Sequence, residues 1–260
     1  MFAVIQGITE FLPISSSGHL ALIPAILDWK DQGVGFDIAV HLGTLLAVII
    51  YFWKDIFHII CCLLRLENKT QNLGCALLLR IFVSLPPILI AGGLVAWLTP
   101  ELFRSPEIIA FSTIGFGIVL WIADRSNISF KRIENMPLSK SIIIGLAQIL
   151  AVIPGTSRSG ITITAARMLG VERTNAARFS MLMSIPVIIA AGGASSFRLI
   201  NADQAFNFCD MGIAIGISFI TALISISFLM NIVRLVGFGP FVIYRIGLGA
   251  SLLVWIYAYN

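Results

Sequence analysis

Charge is what this sequence has least of. Only 12% of its 260 residues are Asp, Glu, Lys or Arg, against about 25% in an ordinary soluble domain, and the mean hydropathy is +0.97. A chain so poor in charge cannot cover a water-facing surface of this size, so a polytopic membrane protein is predicted. Strands that span a bilayer read as short alternating segments. None is evident, which leaves an all-α fold, the other way to satisfy every backbone group in lipid. No basic stripe interleaved with aromatics accompanies the net charge of +4, and nucleic acid is set aside as a partner. The four cysteines, Cys61, Cys62, Cys75 and Cys209, form no Cys-x-x-Cys pair and stand at no zinc-ligand spacing with a His. They read as small apolar fillers, with neither a metal site nor a disulfide framework indicated. The N-terminus also lacks a basic n-region and a small-residue cleavage site, so its apolar stretch is expected to stay in the mature protein.

A spanning helix needs about 20 mostly apolar residues. Candidates are Phe36–Trp53, Ala76–Leu98, Glu107–Ala123, Ala176–Phe197, Met211–Asn231 and Pro240–Tyr259. Two further apolar regions, Met1–Leu27 and Leu138–Leu169, are broken mid-way by Pro, Gly and clustered hydroxyls. The expectation is one integral-membrane domain over residues 1–260, with about six full spans and two broken, re-entrant hairpins.

Lys and Arg in short loops set orientation. Lys54, Arg65 and Lys69 lie in one loop, and Arg125, Lys131, Arg132 and Lys140 in another; both are placed on the cytoplasmic side. Arg167, Arg173, Arg178 and Arg234 follow them, whereas Asn201–Asp210 carries Asp203 and Asp210 without a base and faces out. The first broken region then enters from outside and the second from inside, which is an inverted-repeat design, with repeats of approximately 1–123 and 138–260. A shift of 142 residues supports it, aligning Gln6 with Gln148, Ser15 with Ser157, Ser17 with Ser159 and Gly18 with Gly160.

Ser and Gly clusters often serve only to pack membrane helices closely. Glu10, His19 and Arg158 change that reading, because a charged side chain at the bilayer centre costs about 2.5–3.5 kcal/mol even on an insertion scale. Backbone broken at Pro13, or at Pro154-Gly155, and followed by a new helix exposes N–H groups that bind phosphate. Ser15, Ser16 and Ser17 add hydroxyls on one side; Thr156, Ser157 and Ser159 add them on the other. Arg158 supplies a fork that matches phosphate oxygens. Gln6 and Glu10 share a helix face. A hydroxyl beside a carboxylate and an imidazole is the arrangement of an activated nucleophile or water, and a carboxylate beside a diphosphate also suits a divalent cation. The residues alone do not divide these roles among Glu10, Ser16 and His19.

Gln6-x-x-x-Glu10 followed by Phe11-Leu12-Pro13-Ile14-Ser15-Ser16-Ser17-Gly18-His19 resembles the N-terminal motif of the undecaprenyl-diphosphate phosphatases, the bacitracin-resistance family. Pro154-Gly155-Thr156-Ser157-Arg158-Ser159-Gly160 resembles their second motif, and the likeness extends to the run Phe241–Arg245. The resemblance implies hydrolysis of undecaprenyl diphosphate to the monophosphate carrier of cell-wall synthesis, with Mg²⁺ or Ca²⁺. It implies a polyprenyl diphosphate substrate and a bacterial plasma-membrane location. It makes Glu10 the essential acid, Ser16 the favoured nucleophile, His19 its helper and Arg158 the phosphate clamp. Ser15, Ser17, Gly18, Thr156, Ser157, Ser159 and Gly160 would line the phosphate site, and Glu10 with Gln6 would face the metal. Gln6 stands where many members carry a second Glu, and only five residues precede it, fewer than in members with a longer first helix. A flippase for the same lipid is the rival reading, since inverted repeats of broken helices are transporter architecture. A homodimer is left open.

Among other polar residues, Asp37 and His41 are one helical turn apart and are expected as an interfacial pair or a site contribution. His58 is expected to be solvated. Snorkelling explains Arg80 and Arg245 as well as a pocket role does. Pro86-Pro87 is expected to kink its span.

Overall fold

The computed structural model describes residues 1–16, 18–20, 33–64, 73–98, 105–200 and 208–259. Eleven α-helices run through them: α1 (Phe2–Thr9), α2 (Val34–Tyr51), α3 (Trp53–Leu63), α4 (Leu73–Ser84), α5 (Pro86–Leu98), α6 (Pro106–Asp124), α7 (Leu138–Gln148), α8 (Arg158–Met168), α9 (Arg173–Ile200), α10 (Phe208–Val236) and α11 (Gly239–Tyr259). Among the described residues the only β pairing is one isolated bridge, Phe130 to Val171, so the fold is all-α as the composition requires. Ser17, and the loop residues Arg65, Lys69 and Asp203, lie outside the described residues.

Six spans are long and apolar enough to cross a membrane: Val34–Tyr51, Leu73–Val95, Pro106–Asp124, Arg173–Phe197, Cys209–Val236 and Gly239–Ala258. Each coincides with an expected stretch to within a few residues. In the second, α4 stops at Ser84 and α5 restarts at Pro86, because the prolines have no N–H to continue the ladder. The expected kink is there.

The bundle is held by close approach of small residues as well as by apolar side chains. Gly7 of α1 lies against Thr221 and Ser218 of α10, and Gly43 of α2 lies against Ser218 and the Ile215 carbonyl. Small residues at such contacts let backbones come together where lipid supplies no hydrophobic drive. Elsewhere α2 packs along α10 and α9, α6 pairs with α11, and α8 sits among α6, α7 and α9. One apolar cluster runs through the middle, from Phe11 and Leu12 through Ile163 and Phe179 to Phe238 and Phe241.

The two broken regions are unlike the spans. Helix α1 has 8 residues and α7 and α8 have 11 each, lengths of about 12–17 Å at 1.5 Å per residue. A hydrocarbon core of about 30 Å is roughly twice as thick. After α1 the backbone leaves helical geometry over residues 11–15 and is helical again at Ser16. After α7 a 3-10 segment, Ile149–Val152, leads to the second break, and α8 starts at Arg158.

Two features differ from expectation. Residues 54–63, read as part of a loop, join Trp53, read as the end of a span, in α3, which exposes Trp53, Phe57, Ile60 and Leu63 and buries only Cys61; an apolar face beside charge is the pattern of a helix lying in a membrane interface. Cys62 and Cys75 are not separate fillers. They form a disulfide between α3 and α4, with Cα atoms 5.4 Å apart. Their separation of 13 residues matches no spacing motif, so only the antiparallel meeting of the helices reveals the pair. Cys61 is buried, as an apolar filler should be, whereas Cys209 is exposed.

Candidate active site

Both breaks are built the same way. Ser15 and Ser157 are the two non-glycine residues with positive φ among those described, at 74° and 71°. They stand 142 residues apart, the offset at which the sequence aligns with itself. Such backbone costs about 1–3 kcal/mol per residue and persists where surrounding contacts fix it. Here a cap fixes it: Ser15 Oγ accepts from the Gly18 N–H at 3.2 Å, and Ser157 Oγ accepts from the Gly160 N–H at 3.1 Å. Each serine thereby starts a helix, and the first-turn amides it does not reach have no intrahelical acceptor. For α8 these are the Arg158 and Ser159 N–H groups.

Arg245 of α11 ties the two breaks together. The guanidinium is fully buried; Nη1 donates to the Pro13 carbonyl at 3.2 Å, Nη2 to the Gly155 carbonyl at 2.9 Å and Nε to the Thr113 carbonyl at 3.1 Å. Pro13 and Gly155 again differ by 142. Snorkelling is thus corrected: the side chain turns inward because carbonyls freed by both breaks need a donor. Gly155 sits at φ +89°, and a Cβ there would meet the Ile109 carbonyl at 2.6 Å as well as Ser112 Oγ. Ser112 Oγ in turn donates to the Pro154 carbonyl at 2.6 Å.

Glu10 is the meeting point of the two halves. Arg158 Nη2 donates to its Oε1 at 2.8 Å; Ser16 Oγ and Gln6 Nε2 donate to its Oε2 at 2.9 and 3.0 Å. The pair is secluded, with side chains 15% and 7% exposed for Arg158 and Glu10. His41 of α2 is occupied within its own helix, its Nδ1 lying 2.7 Å from the Asp37 carbonyl. His19 stands apart from this cluster. Its Nδ1 is 2.7 Å from the Ser15 carbonyl and its Nε2 2.7 Å from the Tyr244 hydroxyl.

The remaining expected phosphate ligands are close by, several in bracing roles. Ser159 Oγ donates to the Leu12 carbonyl at 3.0 Å, across the two breaks, and lies 3.1 Å from Ser157 Oγ. Thr156 is fully buried, and its hydroxyl has no hydrogen-bond partner; neither does Gln6 Oε1. Gly18 and Gly160 supply the capped amides. Helix α8 is buried along almost its whole length, and its threonines are hydrogen-bonded: Thr162 to the Arg158 carbonyl and Ser180, Thr164 to the Gly160 carbonyl.

Other polar residues have structural partners. Arg80 binds the Met136 and Ala76 carbonyls, so it too is a brace rather than a snorkel. His58 is exposed beside Asp55, Glu134 and Arg178, around a cavity of about 360 Å³. Arg173 is paired with Asp124, and Arg178 with Asp55 and Glu134. Tyr244 lies in the run Phe241–Arg245 that resembles the family, but nothing in the sequence signals its contact with His19.

Comparison with known proteins matches nearly the whole chain to one family. The family model described as bacitracin resistance protein BacA matches residues 1–251. An undecaprenyl-diphosphatase of Maricaulis maris is 48% identical over 259 residues, covering 98% of this chain and 97% of the relative. Proteins of the same name from Roseobacter denitrificans and Teredinibacter turnerae are 46% and 47% identical, each over 97% of its own length and over 99% and 98% of this chain. The chain therefore belongs to the BacA bacitracin-resistance family.

Proposed function

We infer that the chain is an undecaprenyl-diphosphatase, a multi-pass membrane enzyme that hydrolyses undecaprenyl diphosphate to undecaprenyl phosphate and phosphate. Relatives of that name at 46–48% identity, matched nearly end to end, support the reaction. The observation that carries the mechanism is the carboxylate of Glu10, which holds Ser16 on one oxygen and Arg158 on the other.

The terminal phosphate lies between the helix that begins at Ser16 and the N-terminus of α8. Arg158 and the uncapped amides neutralise its oxygens. Ser16 Oγ attacks phosphorus as its proton passes to Glu10 Oε2, the oxygen it already faces; the bond to the bridging oxygen breaks, and undecaprenyl phosphate leaves. Glu10 passes that proton to the departing undecaprenyl phosphate, then takes one from the water that attacks phosphorus on Ser16 and returns it to Ser16 Oγ as phosphate leaves. Glu10 is a better acceptor for the serine proton than His19, whose two nitrogens are taken by Ser15 and Tyr244.

The donor set suits a divalent cation shared with the substrate. Mg²⁺ and Ca²⁺ take oxygen ligands, and Mg²⁺ characteristically binds through one or two carboxylates plus substrate phosphates. Gln6 Oε1 is a buried oxygen without a hydrogen-bond partner, and it adjoins Glu10. No cluster of three or more His, Cys, Asp or Glu exists among the described residues, which fits a cation brought to Gln6 and Glu10 by the diphosphate. The cation would neutralise phosphate charge.

The two breaks are read as re-entrant halves of an inverted repeat within one domain. The short helices and the matched pairs Ser15/Ser157, Gly18/Gly160 and Pro13/Gly155 support this. Loop charges favour a site that opens to the outer face of the bacterial plasma membrane.

The test is phosphate release from a long-chain prenyl diphosphate by purified protein in detergent, where transport is meaningless. Loss of activity in Glu10→Ala and Arg158→Ala supports the enzyme; a phosphorylated Ser16 trapped by rapid quench supports covalent attack. Active protein that never carries phosphate on Ser16 points to direct attack by water. Activity lost on chelation and restored by Mg²⁺ or Ca²⁺ supports the cation.

A further inference from the structure

The Ser15 carbonyl can only accept a hydrogen bond, so the ring nitrogen 2.7 Å from it, Nδ1 of His19, carries the hydrogen. A neutral imidazole then has one lone pair left, on Nε2. That atom lies 2.7 Å from the hydroxyl of Tyr244, 225 residues away in sequence, and the hydroxyl must be the donor. The two rings are nearly parallel, 12° apart with centroids separated by 5.8 Å. Both contacts come from well-fixed backbone. The Ser15 carbonyl belongs to the capped, positive-φ residue that starts the helix. Tyr244 precedes Arg245, whose guanidinium grips the Pro13 and Gly155 carbonyls. One turn of α11 therefore holds both the first break and the imidazole that follows it.

We propose that Tyr244 is a positioning residue for hydrolysis: its hydroxyl donates to His19, holds the Nδ1–H tautomer that the Ser15 carbonyl sets, and aims the Nε2 lone pair, the one acceptor the imidazole can offer to the attacking water. Second contacts of this kind set which histidine nitrogen is available. The inference rests on reading His19 as part of the site. When substrate arrives, a water takes the place of the phenol and donates to Nε2. The ring does not have to search for its orientation, so the benefit falls on the chemical step rather than on binding.

The test is a double-mutant cycle with Tyr244→Phe and His19→Gln, measured by phosphate release in detergent. Tyr244→Phe keeps the stacked ring and removes only the hydroxyl. It is expected to lower kcat about tenfold, to leave KM within about twofold, and to cost nothing further in a His19→Gln background. A second readout is independent of activity. The protein has three histidines, so the ¹⁵N spectrum of histidine-labelled protein, with His19 assigned by its loss in His19→Gln, should show Nδ1 protonated and an Nε2 signal that shifts in Tyr244→Phe. Full activity in Tyr244→Phe with His19→Gln impaired overturns the role of Tyr244 alone. An equal loss in both backgrounds overturns it too, because the tyrosine then acts without the histidine. Full activity in His19→Gln overturns the role of His19 in the site, a distinguishable failure. An Nε2–H tautomer in the spectrum overturns the geometry itself.

Discussion

Arg158 Nη2 donates to Glu10 Oε1 at 2.8 Å, so the guanidinium offered by the second break is held by the carboxylate of the first. Neither charge is buried alone. Each also keeps the other in place for a ligand that must displace or share their contact. Removing one partner of a buried pair strands the other at a cost of about 3–5 kcal/mol. Glu10→Gln and Arg158→Gln should each lose at least about a hundredfold in kcat and melt at lower temperature. The double variant should be as inactive, yet melt above the more damaged single variant. Thermal unfolding in detergent checks this, and strictly additive shifts in melting temperature would deny the coupling.

The serine caps give a second prediction. Ser157→Ala removes the acceptor for the Gly160 N–H while keeping a Cβ at φ 71°. Loss of a cap costs about 1 kcal/mol, whereas glycine at a cap costs only a few tenths and tolerates the backbone. Ser157→Gly should therefore be more stable than Ser157→Ala, and Ser15→Gly more stable than Ser15→Ala. The reverse order in denaturation experiments would mean that the caps are not what hold these residues.

Gly155 should not accept even alanine. The added Cβ would press on the Ile109 carbonyl and Ser112 Oγ, and backbone cannot swing aside as a flexible side chain would. Gly155→Ala should reduce folded yield and activity together. Ser112→Gly in the same chain should restore little, because the carbonyl remains. The fraction of monodisperse protein in size-exclusion chromatography measures the effect.

Sidedness has a native probe. Cys209 is exposed at the beginning of α10, next to the acidic loop read as facing outward, while Cys61 is buried. A membrane-impermeant maleimide added to intact cells stripped of their outer membrane should modify Cys209 and leave a Cys209→Ser variant unlabelled. Labelling only after permeabilisation would invert the orientation drawn from the loop charges.

Much of this molecule was legible before its structure because lipid enforces simple rules. Twenty apolar residues mean a helix, and all six spans followed. Glu10 and Arg158 stood out because charge in apolar sequence is expensive, and the internal alignment picked out Ser15 and Ser157 through their polar identities. What stayed hidden depended on contacts between distant residues. For Arg245, snorkelling and a pocket role are equally compatible with the sequence, since nothing in it shows which carbonyls lack donors. Tyr244 and the Cys62–Cys75 disulfide were concealed for the same reason. The apolar face of α3 was missed because its charged neighbours, Lys54 and Asp55, made the stretch read as loop.

The grip of Arg245 on Pro13 and Gly155 also bears on leakage. Two interrupted helices leave polar backbone inside an apolar bundle, and such backbone invites water. One fully buried guanidinium, bonded to both interruptions, takes up carbonyls that such water would need. Sealed in this way, interrupted helices are compatible with a membrane that must hold its ion gradients.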